Sequence, residues 1–390
     1  MNDFDDIRPY RDDEVRPVVD RLLTDDAMCR AMGKFMHPLL FKFLPGFITG
    51  KVQSSLTEEM AGVQTIHDVQ LVIEKYLDQL IESTTTSLTS SGLDKLDTAQ
   101  PYLFISNHRD ITMDPALCNY MIYHHGLDTL QIAIGDNLLQ RPFLTDLMKL
   151  NKSFIVKRSV QGRDLLKASK QLSAYIHHCI KEGENVWIAQ REGRAKDGID
   201  KTETAIIKML HMADRDTTLK LTLQESINSL NIVPVAISYE FDPCDRAKAE
   251  ELHTIDNTGK FEKDENSDVQ SILSGMIGEK GDVHVSYGEK IQFSDAVTAE
   301  GVAKEIDEQI IRNYRLHAVN YAAMELVQKD FMDFSRLPEI LDLPASVISS
   351  KRRAFKKRLA GIPKKFQPYV LNMYANPVIR KAEINAIPQR

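Results

Sequence analysis

The 390-residue chain has no run of about 18 uncharged apolar residues, so no membrane-spanning helix is expected. Met1 is followed by Asn-Asp-Phe-Asp-Asp, which has neither a basic leader nor an apolar stretch, so no secretory signal is expected either. Cysteine is scarce. The four residues Cys29, Cys118, Cys179 and Cys244 lie far apart, without metal-ligand spacing, and read as reduced thiols of a cytoplasmic protein. The histidine pairs His124-His125 and His177-His178 fall on predicted helices with no matching cluster, so no metal is expected. The glycines from Gly275 to Gly281 lack the Gly-Lys-Ser/Thr ending of a phosphate-binding loop. No internal repeat and no long low-complexity tract occurs, and the single tryptophan, Trp187, reads as core.

What is present is an ordinary globular composition, 43% hydrophobic and 27% charged, with a net charge of −7 that is unevenly placed. Residues 351–390 carry eleven Lys/Arg against one acid, Glu383, for a net +10, which leaves −17 on the rest. An acidic body with a basic tail points to an anionic surface as the tail's partner. The segment Ser350 to Phe366 predicts a helix with Ile348, Phe355 and Leu359 on one face, suited to lying in a lipid headgroup region; the alternative is a solvated helix, or one packed back on the acidic body. Phe35 to Ile48 is apolar but broken by proline, and reads as packed on the core ahead of lying in a membrane interface.

Gln64 to Ser83 reads as a helix, followed by a mostly Thr/Ser stretch over 84–91. From Pro101 onward short apolar runs alternate with helical periods. Tyr102–Ser106, Leu130–Ile134, Ser153–Lys157, Asn185–Ala189 and Ile232–Tyr239 predict buried strands. Leu165, Ser169, Leu172, Ile176 and Cys179 keep helical spacing up to Gly183. The alternation predicts an α/β fold with a mostly parallel central sheet flanked by helices. Asp282–Ile291 reads as one more strand after a polar insertion over Asp256–Asp268, and Val302–Gln328 as one long helix. The expected organisation is a helical N-terminal extension over 1–95, an α/β domain over 96–330 and a basic helical tail over 331–390.

The first candidate site is Ser106-Asn107-His108-Arg109-Asp110-Ile111-Thr112-Met113-Asp114-Pro115. It follows a predicted strand and opens a helix, where open α/β sheets place their ligands. A histidine beside carboxylates suits general-base chemistry, with a carboxylate fixing the tautomer and stabilising the imidazolium. Asp114, directly before proline, also fits an ordinary helix N-cap.

The Asn-His, short spacer, Asp pattern resembles the first motif of the lysophosphatidate and glycerol-3-phosphate acyltransferase superfamily. Ser153 to Ser159 (SFIVKRS) resembles its second motif, Arg191 to Gly198 (REGRAKDG) its third, and Asn231 to Ile237 (NIVPVAI) its fourth. Four motifs in order, over about 101–290, are specific where each alone is weak. Two departures are visible. Five residues rather than four separate His108 from the aspartate, which leaves Asp110 or Asp114 as the orienting carboxylate, with Asp114 preferred; and Arg194 follows Gly193 directly.

The resemblance implies transfer of a fatty acyl group from acyl-CoA or acyl-carrier protein to a lysophosphatidate-type acceptor, without an acyl-enzyme and without a cofactor. His108 and Asp114 are implied as catalytic, and Asn107, Arg158, Glu192, Gly193 and Arg194 as substrate-binding. Planar guanidinium groups at strand ends suit an acceptor phosphate. Glycerol-3-phosphate or a lyso-aminolipid are the alternative acceptors. A peripheral protein of the inner membrane face follows from the lipid acceptor and the basic tail. The rivals are a non-catalytic lipid-binding scaffold and, more weakly, a nucleic-acid binder resting on the tail alone.

Overall fold

A computed structural model describes residues 4–215, 220–262, 267–327 and 344–385. The chain divides into two compact units, Met1–Gln79 with Leu130–Leu172, and Leu80–Thr129 with Ser173–Arg390. This division differs from the expected three-part organisation. The N-terminal helices share a unit with residues 130–172, and the C-terminal helices belong to the unit that holds His108.

In the first unit, helices Asp12–Leu23, Asp26–Met36, Pro38–Phe43 and Pro45–Glu59 accompany two parallel strands, β3 (Gln131–Gly135) and β4 (Ser153–Val156). Val15, Val18, Val19 and Leu22 line one face of the first helix and meet Cys29, Val63, Val69, Phe143 and Leu150 in a common core. Asp146 is held by Tyr10 Oη at 2.6 Å and by the Arg21 guanidinium at 2.9 Å. Ile48 is buried, whereas Leu39, Leu40, Phe43, Leu44 and Phe47 stand 55–79% exposed. The segment 35–48 is thus packed through part of its apolar content and open through the larger part.

The second unit contains β1 (Thr85–Ser91), β2 (Leu103–Ser106), β5 (Val186–Ala189), β6 (Ile232–Tyr239) and β7 (Gly281–Tyr287), ordered β1-β7-β6-β2-β5. All neighbours run parallel except β6 and β7. β2 and β6 are wholly buried, so they read as unbroken apolar runs. Pro234 is tolerated inside β6 because its carbonyl accepts from Gly288 N (2.8 Å). Its missing N–H therefore faces the place where β7 has already ended.

Two elements depart from the sequence reading. The Thr/Ser stretch is strand β1, pairing with β7 over Thr85–Ser91. The long helix expected over 302–328 is two, Ala299–Asn313 and Ala318–Val327, parted where Tyr314, Leu316 and His317 turn inward. The basic tail packs on its own unit. Its helix Ala345–Ala360 buries Phe355 completely, and Lys351 reaches Glu240 at 2.6 Å and Asp282 at 3.3 Å. Arg358 meets Asp245 at 2.6 Å, and Phe355 stacks edge-on against Tyr374 of the last helix, Gln367–Asn385. Of the stripe expected to enter lipid, Phe355 is spent on this unit's core while Ile348 and Leu359 are half-buried, and three of the basic side chains pair with acids of the unit, buried Glu240 and Asp245 and exposed Glu325. Among the described residues, no helix is long and apolar enough to cross a membrane.

Candidate active site

The loop after β2 carries His108, and the loop after β5 carries Arg191 to Asp200, so parallel pairing of β2 with β5 sets both at the same sheet end. The two loops are joined directly: Gln190 N donates to Ser106 O (2.8 Å) and Ala195 N to His108 O (2.8 Å). Tyr239 arrives from the end of β6, which pairs with β2 on its other side.

His108 is mostly buried, and its Nδ1 lies 3.0 Å from Asp114 Oδ2. The same oxygen accepts from Arg109 N at 2.6 Å and Asp110 N at 2.8 Å, while Asp114 Oδ1 accepts from Tyr239 Oη at 2.8 Å. Asp114 is fully buried, and these four donors offset its loss of water. An oxygen that already receives two backbone N–H groups acts toward the imidazole as an acceptor too, so Nδ1 carries the proton and Nε2 is left as a base. Among the described residues Nε2 has no hydrogen-bond partner. Trp187 presents its ring edge-on to the imidazole, with centroids 6.2 Å apart.

The extra residue between His108 and Asp114 is absorbed by this turn. The N–H groups of Arg109 and Asp110 both fold onto one carboxylate oxygen. Asp110 has a different task. Its Oδ1 accepts from Thr112 N (3.0 Å) and Met113 N (2.9 Å) at the start of helix Met113–His124, so the helix-capping role belongs to Asp110 and not to Asp114. Asp110 Oδ2 is buried without a partner, and burial, then the nearby Asp114 charge, push this carboxyl above its ordinary value. Helix Ser267–Ile277 seats directly upon it: a Cβ at Gly275 would stand 2.1 Å from Asp110 Oδ2.

The remaining implied residues separate. Asn107 is fully buried, with Oδ1 accepting from Ile237 N (2.8 Å) and Nδ2 donating to Ile237 O (3.0 Å). Its amide pins the loop to β6, and Nδ2 also reaches Asp200 Oδ2 at 3.4 Å, so the side chain expected at the substrate is engaged within the fold. Arg194 is partly buried; one terminal nitrogen donates to Ser271 Oγ (3.1 Å) and the other is buried without a partner. Gly193 takes the left-handed conformation (φ 71°) in an exposed turn beside exposed Glu192. Arg158 lies in the first unit, past β4, where its guanidinium stem packs against Gly135 and its N–H donates to Asp136 Oδ1 (3.0 Å).

A buried polar frame behind the loop has no counterpart in the sequence reading. Arg109 turns inward, bonding Asp200 Oδ2 (2.5 Å) and Gly198 O (3.2 Å) and covering the Tyr314 ring at 5.4 Å. Lys248 donates to Arg109 O (2.6 Å) and pairs with Asp242, whose own carbonyl accepts from Arg358 (2.7 Å). Gly198 (φ 80°) lies so close to the last helix that a Cβ would sit 2.1 Å from Met373 O. The only sequence signal for this frame is the presence of charged residues in strand-end loops.

Residues 87–238 match the family model described as Acyltransferase. The chain is 27% identical over 216 residues to a glycerol-3-phosphate acyltransferase of Pseudoalteromonas atlantica, covering 48% of this chain and 25% of that protein. It is 25% identical over 194 residues to the glycerol-3-phosphate acyltransferase of Pasteurella multocida, covering 50% and 22%. The match therefore spans about a quarter of the length of these relatives. The crystal structure of the 1-acyl-sn-glycerophosphate acyltransferase PlsC from Thermotoga maritima aligns at a TM-score of 0.38 and 13% identity, over 73% of this chain and 92% of that one, a likeness too slight to bear on the assignment. The motif order, the strand-end placement of His108 and the family match agree, and residues 87–238 are similar to an acyltransferase domain of the glycerolipid type.

Proposed function

We propose that the protein transfers a fatty acyl group from a thioester donor, acyl-CoA or acyl-carrier protein, to a hydroxyl of a glycerol phosphate acceptor. The observation that carries this reading is the His108–Asp114 pair, with Nδ1 committed to the carboxylate and Nε2 left, among the described residues, without a hydrogen-bond partner. His108 Nε2 takes the acceptor hydroxyl's proton as that oxygen attacks the thioester carbonyl. Asp114 stabilises the imidazolium, and the proton passes to the departing thiolate as the C–S bond breaks, giving ester and free thiol. Arg194 binds the acceptor phosphate, with Glu192 and Gly193 shaping the turn beside it. The named relatives move glycerol-3-phosphate to first place as acceptor, ahead of the lysophosphatidate that sequence alone favours.

Membrane attachment in this reading moves from the C-terminal tail to residues 36–47. Phe43 and Phe47, 75% and 68% exposed, are the side chains suited to enter the headgroup region. The test of catalysis is transfer from labelled acyl-CoA to glycerol-3-phosphate, lysophosphatidate and a lyso-aminolipid, by the wild type and by His108→Ala. The variant should fold and lose at least about a hundredfold in turnover. Lipid binding with no transfer by the wild type would instead favour a non-catalytic scaffold.

A further inference from the structure

Asp114 is gripped from two sides. On one side Oδ2 receives the loop's own N–H groups and His108; on the other, Oδ1 has a single donor, the hydroxyl of Tyr239, 125 positions along the chain. Tyr239 is the last residue of β6 and lies just past the segment matched by the family model. Its ring is buried beside Asp114, and among the described residues its hydroxyl reaches no other acceptor. A carboxylate held by one oxygen alone can rotate about its Cβ–Cγ bond; a donor on the far oxygen removes that freedom.

We propose that Tyr239 is a positioning residue for acyl transfer: its hydroxyl locks Oδ1 of Asp114, so that Oδ2 stays aimed at His108 Nδ1 and Nε2 at the acceptor. The proposal rests on His108 acting as the base. The hydroxyl serves throughout the working pH range as a donor, because burial and then the Asp114 charge hold its proton well above the ordinary tyrosine value. The other titratable groups facing this pair are Asp110, Asp242, Cys118 and Tyr314, all buried and supplied by the loops and helices packed around it.

Tyr239→Phe keeps the ring and removes only the donor. The turnover number should fall about tenfold, the scale of one hydrogen bond to a charged group, while KM for both substrates stays within about twofold. The stripped carboxylate draws harder on the imidazolium, so the acidic limb of the kcat–pH profile should move upward, which a merely structural loss would not produce. In an Asp114→Asn background Tyr239→Phe should add less than about twofold, because both changes act through one carboxylate.

A folded Tyr239→Phe protein with unchanged kcat and an unmoved limb overturns the proposal, as do effects that multiply with those of Asp114→Asn. If His108→Ala retains turnover, the base assignment has failed and this inference with it; if His108→Ala is inactive and Tyr239→Phe is not, only this inference fails. Should the phenylalanine variant not fold, site-specific 3-fluorotyrosine at 239 keeps ring and hydroxyl and strengthens the donor. The acidic limb should then move down, and an unmoved limb again overturns the proposal.

Discussion

Asp114→Asn and Asp110→Asn are nearly isosteric changes four residues apart, and the structure assigns them opposite outcomes. Asp114 Oδ2 takes three donors at 2.6–3.0 Å and Oδ1 takes one at 2.8 Å. An asparagine oxygen can keep the three, and its amide can donate to a reoriented Tyr239 hydroxyl. The loss is the charge-assisted part of four hydrogen bonds, about 1–2 kcal/mol of stability, so the protein stays folded. Catalysis suffers more, because the imidazolium formed during proton transfer loses its counter-charge: turnover should drop about 10²–10⁴-fold. At Asp110 the two backbone N–H groups remain served by the amide oxygen, and the unpartnered Oδ2 becomes an uncharged amide NH2. Its carboxyl is already biased toward the neutral form by burial. Asp110→Asn should therefore keep activity within about threefold and stability within about 1 kcal/mol. The assay is steady-state acyl transfer at saturating donor, with thermal denaturation of each variant to exclude unfolding. Loss of turnover in folded Asp110→Asn alongside near-normal Asp114→Asn would refute the assignment and restore the shorter spacing.

Arg194→Ala should raise KM for the phosphate acceptor or lower kcat/KM, with little change in KM for the donor; unaltered acceptor kinetics would remove it from phosphate binding. His284 and His317 are held down to about 4 and about 3, chiefly by burial, against an ordinary 6.5. With both folded values depressed, the unfolded chain binds more protons between about 4 and 6.5, so stability is full above 6.5 and falls as the pH drops. Moving from pH 7 to pH 5 should cost about 2 kcal/mol per histidine, and replacing both by Gln should flatten that slope in urea unfolding. Arg358→Leu leaves Asp245 without its cation and should cost about 2 kcal/mol by the same measurement; an unchanged midpoint would show the tail helix to be superficial. Phe43→Asp with Phe47→Asp should release the protein from anionic vesicles in co-sedimentation, whereas neutralising Lys356 and Lys357 should not; the reverse would return the tail to the membrane account.

The strands were legible wherever both faces are covered, since β2, β5 and β6 then appear as unbroken apolar runs bounded by turns. β1 was not, because it is an edge strand built from Thr and Ser with Leu88 as its one large apolar residue, and its side chains are satisfied by hydroxyl and imidazole partners on β7 instead of by core packing. Thr89 and Ser91 bond the two ring nitrogens of His284, and Ser87 bonds Asp282. The tail was ambiguous for a related reason. A stripe of Phe355 and Leu359 flanked by lysine and arginine has the same periodicity whether it enters lipid or packs on an acidic body, and only the positions of Glu240, Asp242, Asp245 and Asp282 decide between them.

At the site, the contact between His108 and Asp114 was readable because the two are close in sequence and belong to one strand-to-helix turn. The supporting groups are distant in sequence and carry no pattern of their own. Asn107 looks like a ligand group in a motif, yet its neighbour across the sheet, Ile237, consumes both ends of its amide. Arg109 looks like a solvated charge, yet Asp200, Gly198 and the Tyr314 ring draw it inward, and Lys248 holds its carbonyl from behind. Through Asp242 and Arg358 that frame continues to the C-terminal helices, and Asn376 closes it by donating to Asp197 O at 2.7 Å in the loop that carries Arg194. The histidine's loop and the arginine's loop thus have their backs fixed by residues 239–248 and 358–376, beyond the matched segment 87–238. The geometry of one short turn thus depends on two distant regions, one of which, read by itself, looks like a detachable basic tail.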